Sequence, residues 1–109
     1  EIKPANEFYD YDAKYKNGSS VLLIPAPLEE KTSEEIRSLA VKIFKSLNCS
    51  GLSRVDFFVQ SDGKVKFNEI NTLPGFTPIS MYPKLFDECG IKYPDLIDRL
   101  LNLAIEREA

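Results

Sequence analysis

Apolar residues at Ile36, Leu39, Ala40, Ile43 and Leu47 recur every three or four positions, the spacing that lines side chains along one stripe of a helix. The stretch "TSEEIRSLAVKIFKSLNCSG" begins with Thr32 and Glu35 three residues apart. That pair predicts a capping box, in which Thr32 bonds the backbone N–H near Glu35 while Glu35 reaches back. The stripe behind it is expected to be core. A second helical stripe, Leu96, Ile97, Leu100, Leu103 and Ala104, runs through "YPDLIDRLLNLAIERE" with Pro94 near its start, and it too reads as packing. Between the two, "MYPKLFDECG" reads as a short helix that ends at Gly90.

Elsewhere the pattern is that of strands and turns. "VLLIPAP" is a short apolar strand stopped by Pro25 and Pro27. "EIKPANEFYDYDAKYKNGSS" is a strand end followed by a polar, tyrosine-rich connection, so Asn6 to Ser20 is expected to be mostly loop. Two alternating runs, Gly51 to Gln60 and Lys64 to Thr72, flank "SDGK". Asp-Gly in that position predicts a hairpin closed by a type I′ turn, whose two central residues need positive φ. With Asp62 and Gly63 as the loop, Ser61 opposes Lys64, Asp56 opposes Glu69 and Arg54 opposes Asn71. Alternation then puts Arg54, Asp56, Glu69 and Asn71 on one face at one end of the ribbon, with Phe58, Val65 and Phe67 on the same face nearer the turn. A three-residue loop with a bulge would shift this pairing by one.

That register places two carboxylates directly across from each other, with Cβ atoms about 5 Å apart, which destabilises a sheet unless a cation neutralises them. Two acids and an amide carbonyl are hard oxygen donors suited to Mg²⁺ or Mn²⁺, and the lack of histidine and thiolate nearby argues against zinc. Mg²⁺ keeps few protein ligands and completes its octahedron with water and phosphate oxygens, so the set points to a nucleotide-phosphate site. The alternative is a solvated face whose acids pair with Arg54 and Lys66, and geometry alone leaves both open. "NTLPGFTPIS" follows directly, and its Gly75 would let backbone N–H groups approach a ligand closely. Its plainer reading is an ordinary connection to the next helix.

Composition narrows the class. With 109 residues, 43% hydrophobic and 28% charged, the chain can build one modest core and a single domain. Its net charge of -3 offers no basic footprint for nucleic acid. Cys49 and Cys89 lack C-x-x-C spacing, and the chain has no histidine to join them in a metal site. They read as free thiols of a cytosolic protein, with a disulfide between them the lesser alternative. No apolar run approaches the roughly 18 residues of a membrane span, and no signal peptide opens the chain. Glu1 stands where an initiator methionine would, so the chain is expected to be a piece of something larger.

The segment "GLSRVDFFVQSDGKVKFNEINTLPGFTPIS" resembles the C-terminal signature of D-alanine:D-alanine ligases, and "EFYDYDAKY" resembles the loop that folds over their active site. The resemblance runs over essentially the whole chain. R-x-D, a gap, then N-E-x-N-T-x-P-G is particular to this ligase group, whereas the spaced Asp, Glu and Asn alone mark the wider ATP-grasp superfamily. The implied fold is α+β, an antiparallel sheet with helices packed on it, the C-terminal subdomain of an ATP-grasp enzyme. Residues 1–20 would be a strand end and covering loop, 21–50 a strand and helix, 51–72 the metal-binding hairpin, and 73–109 a substrate loop and two helices.

Position by position, the resemblance implies that Asp56, Glu69 and Asn71 hold a pair of Mg²⁺ or Mn²⁺ ions that bridge the phosphates of ATP. Arg54 would stabilise acyl-phosphate and tetrahedral intermediates with the Gly75 N–H as its oxyanion partner. Ser80 and Met81 would hold the carboxylate of the second D-alanine. Lys14 would contact the transferred phosphoryl group, Tyr15 would hydrogen-bond back into the site, and Phe58 would line the adenine pocket. The implied partners are D-alanine, ATP and the remaining domains of the same ligase, in a homodimeric enzyme of the bacterial cytoplasm that makes a peptidoglycan precursor. Family members are much longer, so the chain is expected to be a C-terminal third that does not ligate alone. Two other readings are kept: a relative making D-alanyl-D-lactate or D-alanyl-D-serine, and a non-catalytic metal-binding module of the same fold. Tyr15 bears on the first, because depsipeptide-forming relatives tend to carry histidine in that loop.

Overall fold

The computed structural model describes residues 1–3, 21–78 and 80–108. Along the chain these form β1 (Ile2–Lys3), β2 (Val21–Leu22), α1 (Glu30–Ser46), β3 (Arg54–Val59), β4 (Val65–Asn71), α2 (Met81–Glu88) and α3 (Tyr93–Glu108). β1 pairs antiparallel with β2, Ile2 opposite Leu22 and Lys3 opposite Val21. The ladder continues where Leu23 N–H donates to the Glu1 carbonyl at 2.8 Å. β3 and β4 make a second antiparallel pair. The α+β character and antiparallel pairing expected from the sequence are present, as two separate strand pairs. The expected loop from Asn6 to Ser20 lies outside the described residues.

The hairpin turn differs from the expected one. Gln60 N–H donates to the Lys64 carbonyl at 2.8 Å and Gly63 N–H to the Gln60 carbonyl at 2.9 Å, so Ser61, Asp62 and Gly63 form a three-residue loop. Gly63 has φ +85°, the left-handed conformation that such a loop places at its last position. Asp62 stabilises the turn with its side chain instead, its Oδ1 accepting from Lys64 N–H at 3.0 Å. Val59 therefore opposes Val65, Phe58 opposes Lys66 and Phe57 opposes Phe67. A register shift between Asp56 and Phe57 then leaves Asn68 as the extra residue, and Asp56 opposes Glu69 after all. The two one-residue offsets cancel at the acidic end. They do not cancel near the turn, so the expected placement of Val65 and Phe67 on the acidic face is corrected. Both share the other face with Phe57 and Val59, and the Phe57 and Phe67 rings meet edge to face at 6.1 Å.

The predicted capping box does not form. α1 begins at Glu30, with Glu29 as its N-cap and no side-chain capping bond, which puts Thr32 inside the first turn. The Glu29 carbonyl already accepts Ser33 N–H at 3.0 Å, and the acids at the helix start oppose the positive end of its dipole. α1 and α2 end alike. Asn48 (φ 53°) and Gly90 (φ 87°) adopt the left-handed conformation just past each helix. Asn48 N–H bonds Lys45 O and Cys49 N–H bonds Phe44 O, while Gly90 N–H bonds Asp87 O and Ile91 N–H bonds Phe86 O. Both are Schellman motifs that satisfy the last carbonyls.

Burial concentrates where α2 meets α3. Tyr82 (7% exposed) and Leu96 (4%) are buried there, and Pro74 is the other buried side chain among the described residues. Burial pushes the Tyr82 phenol above its ordinary pKa. The α1 stripe is covered less than expected: Ile36, Leu39, Ala40 and Ile43 are half-buried, and Leu47 is exposed. In α3 the stripe packs only through its first half, since Leu103 and Ala104 are exposed. The radius of gyration is 15.1 Å, larger than the roughly 13 Å of a compact domain of this length. Leu96→Ala is expected to cost about 3 kcal/mol, as buried leucines do, whereas Leu101→Ala, at a side chain exposed in the last turns of α3, should stay within about 0.5 kcal/mol. Urea midpoints compare the two. Equal shifts would mean that α3 is not held through Leu96.

Candidate active site

Regular strand alternation places Arg54 and Asp56 on one face of β3, and their partners Asn71 and Glu69 bring the same face of β4 alongside. The Arg54 guanidinium holds Asp56 with its fork, Nε to Oδ1 at 2.9 Å and Nη2 to Oδ2 at 3.0 Å. The same Nη2 lies 3.7 Å from Glu69 Oε1. One cation thus touches both opposed acids, the neutralisation that direct opposition demands. Asp56 is largely covered, its side chain 31% exposed, while Glu69 at 59% faces solvent. Lys66, on the same face as a consequence of the bulge, sits further along beside Phe58.

From Asn71 the chain leaves the sheet in an Asx turn, with Leu73 N–H donating to Asn71 Oδ1 at 3.0 Å. Pro74 is buried and Gly75 exposed. Past them, Ser80 organises the loop: Thr77 N–H donates to Ser80 Oγ at 3.0 Å, the two hydroxyls are 2.7 Å apart, and Ser80 N–H returns to Thr77 O at 2.9 Å. A Cβ on Gly75 would lie 2.8 Å from Ser80 Oγ, so this closure needs glycine. Phe76 anchors the loop to the buried α2–α3 contact. Its ring meets Tyr82 at a tilt, centroids 6.0 Å apart, and Tyr93 edge to face at 5.8 Å, and its carbonyl accepts the Tyr93 hydroxyl at 3.2 Å. An open hollow of about 510 Å³ lies beside the loop, with Thr77, Ser80 and Lys84 in its wall.

The structure brings Arg54, Asp56, Glu69 and Asn71 together at one end of the ribbon and keeps Phe58 on the same face. Gly75, Ser80 and Met81 follow on the adjoining loop and the first turn of α2. Lys14 and Tyr15 lie outside the described residues. Sequence reasoning missed Thr77, Phe76 and Tyr93, which shape the loop. The aromatic that follows Pro-Gly and the tyrosine that opens α3 were the available signal.

A family profile described as the C-terminus of D-ala D-ala ligase matches residues 1–102. The chain belongs to this ligase family. A D-alanine--D-alanine ligase of Acetivibrio thermocellus is 62% identical over 108 residues, which cover 98% of this chain and 29% of that protein. The solved D-alanine--D-alanine ligase of Bacillus anthracis superposes with a TM-score of 0.77 at 36% identity, covering 96% of this chain and 34% of its own. The VanG D-Ala:D-Ser ligase of Enterococcus faecalis gives the same TM-score at 40% identity, over 94% of this chain and 30% of its own. The chain spans about 30% of the length of the ligases it matches. Among the described residues no helix is long and apolar enough to cross a membrane.

Within the ligase family the question is whether this face suits a divalent cation. No group of three His, Cys, Asp or Glu side chains gathers for a metal among the described residues. The donor set is smaller: two opposed carboxylates and Asn71 Oδ1, which keeps a lone pair beyond its bond to Leu73. Arg54 already serves there as a stand-in cation shared by both acids. A hard ion that accepts few protein ligands fits these oxygens.

Proposed function

We propose that this chain is the metal- and oxyanion-bearing part of an ATP-dependent D-alanine:D-alanine ligase that forms a D-alanyl phosphate and then D-alanyl-D-alanine. One observation carries the reading. In a chain of this ligase family, Asp56 stands directly opposite Glu69, with Arg54 and Asn71 completing the same face. In the proposed reaction the first D-alanine carboxylate displaces ADP from the γ-phosphoryl of ATP. The amine of the second then attacks the acyl carbon, and inorganic phosphate leaves.

Asp56, Glu69 and Asn71 would hold Mg²⁺ or Mn²⁺, which when bound neutralises the phosphate oxygens. Arg54 lies at the end of the ribbon next to the Gly75 loop, where it can stabilise charge that appears only during the reaction. The Gly75 N–H donates to the developing oxyanion, a contribution of a few kcal/mol where water is excluded. Ser80 and Met81 orient the second amino acid from the start of α2. Phe58 offers an exposed ring to a base, and Lys14 and Tyr15 are assigned to the phosphoryl group and the covering loop. The other parts of the nucleotide site would come from the remaining domains, and the cytoplasmic, cell-wall role and dimeric assembly belong to the whole ligase.

The second substrate is the open choice, because a D-Ala:D-Ser ligase shares this architecture at 40% identity. Steady-state phosphate release by the complete ligase, with D-alanine, D-serine and D-lactate offered in turn, is expected to be fastest with D-alanine. Tyr15→His should shift the preference toward D-lactate more than it changes ATP use. Release with none of the three would overturn the reading.

A further inference from the structure

Arg54 grips Asp56 through both ends of its fork and reaches Glu69 with the same Nη2. This is where the proposed reading puts a divalent ion. A carboxylate whose two oxygens already receive a fork of N–H bonds offers a metal only its remaining lone pairs. An ion bound there would also face a guanidinium of like charge a few ångströms away. The two cannot both be held at full strength. Arg54 stands opposite Asn71, the last residue of β4, from which the chain passes at once into the Pro74–Gly75 loop. Its side chain is 23% exposed, and it is long enough to swing from the acids toward that loop.

We infer that Arg54 is a two-position side chain: the internal counter-ion of the Asp56–Glu69 pair in the metal-free chain, released toward the Gly75 loop when a divalent cation takes the carboxylates. The inference rests on the reading of the acid pair as a metal site and adds an order of events to it. Cation loading comes first, and it frees the guanidinium for the reacting group. Until then the ion pair keeps the opposed acids compatible with a folded hairpin.

Two measurements on this chain test the device. The Arg54 Nε–H, identified in nitrogen-edited NMR spectra by its loss in Arg54→Lys, should be protected from water exchange by Asp56. At saturating Mg²⁺ its exchange should be on the order of tenfold faster, the usual scale of coupling between ligands that exclude one another. Mn²⁺ affinity, read from the disappearance of the free-ion paramagnetic resonance signal, should be tighter by a similar factor in Arg54→Gln, where the competitor is gone. If Arg54→Gln does not fold, Arg54→Lys takes its place. An ammonium cannot fork both oxygens, so partial tightening is expected. Unchanged or weaker Mn²⁺ binding in the variants, or exchange protection that persists in saturating Mg²⁺, would overturn the inference and leave the metal site standing. Absence of Mn²⁺ binding in every chain would remove the metal reading and this inference together.

Discussion

Exchanging Asp56 for Asn and Glu69 for Gln together is expected to abolish the response of this chain to Mg²⁺ while leaving it folded without the ion. The unsubstituted chain should gain stability by mass action, about 1.4 kcal/mol at ten times the dissociation constant. In a domain of this size that is roughly a 6 °C rise in the thermal midpoint. The double variant keeps the shape of both side chains, removes the repulsion between opposed acids and removes the anionic ligands, so its midpoint should be flat with Mg²⁺ concentration. In the complete ligase the same pair of changes should lower turnover by about 10³ or more, the equivalent of roughly 4 kcal/mol of transition-state stabilisation. Thermal melts across a Mg²⁺ series and phosphate-release assays read the two effects. Matching metal responses in both chains would remove the acids from the site.

Gly75→Ala should separate stability from activity. The added Cβ meets Ser80 Oγ at 2.8 Å. Rotating that hydroxyl away relieves the overlap but breaks its bonds with Thr77 N–H and Thr77 Oγ1. Two lost hydrogen bonds cost about 1 kcal/mol each, and the stiffer unfolded chain returns about 0.4–1 kcal/mol, so a net loss of about 1–1.6 kcal/mol of stability is expected. The loop that carries the oxyanion N–H and the second-substrate residues is displaced, however. In the complete ligase kcat/KM for the second amino acid should fall by about 10². Adding Ser80→Ala to Gly75→Ala restores room for the methyl group but deletes the hydroxyl that ties Thr77, so substrate affinity should not return. A Gly75→Ala enzyme with ordinary kinetics would show that the close approach at Gly75 has no part in the reaction.

The acidic end of the hairpin was legible because alternation is a local rule and the two offsets happen to cancel there. The turn end was not. Asp-Gly favours a two-residue loop, but Asp62 can stabilise a longer one through its own carboxylate, and a sequence does not show where a bulge will absorb the difference. Val65 and Phe67 changed faces for that reason. Thr32 and Glu35 have the spacing of a cap, yet the helix is capped three residues earlier, at Glu29, whose carbonyl accepts Ser33 N–H soon after the chain has left Pro27. Helical periodicity located α1 and α3 but overstated their burial. A stripe records which side a helix would hide, and Leu47, Leu103 and Ala104 show that nothing described here covers those positions. Arg54, Asp56, Glu69 and Asn71 share one face at one end of the ribbon, as alternation predicts. The loop's anchoring to α3 through Phe76 and Tyr93 spans 17 residues, and the two aromatics were its one trace in the sequence.

The bulge at Asn68 does more than restore the register. An extra residue on one strand bends the ribbon and raises its right-handed twist at that point. The acidic end and the stretch carrying Phe58 and Lys66 consequently do not lie in one plane, and anything laid along this face must follow a curve. Deleting Asn68 would keep Asp56 across from Glu69 and Phe57 across from Phe67, so every neighbour would survive. What would be lost is the curvature, and with it the angle at which a molecule held at one end meets the other.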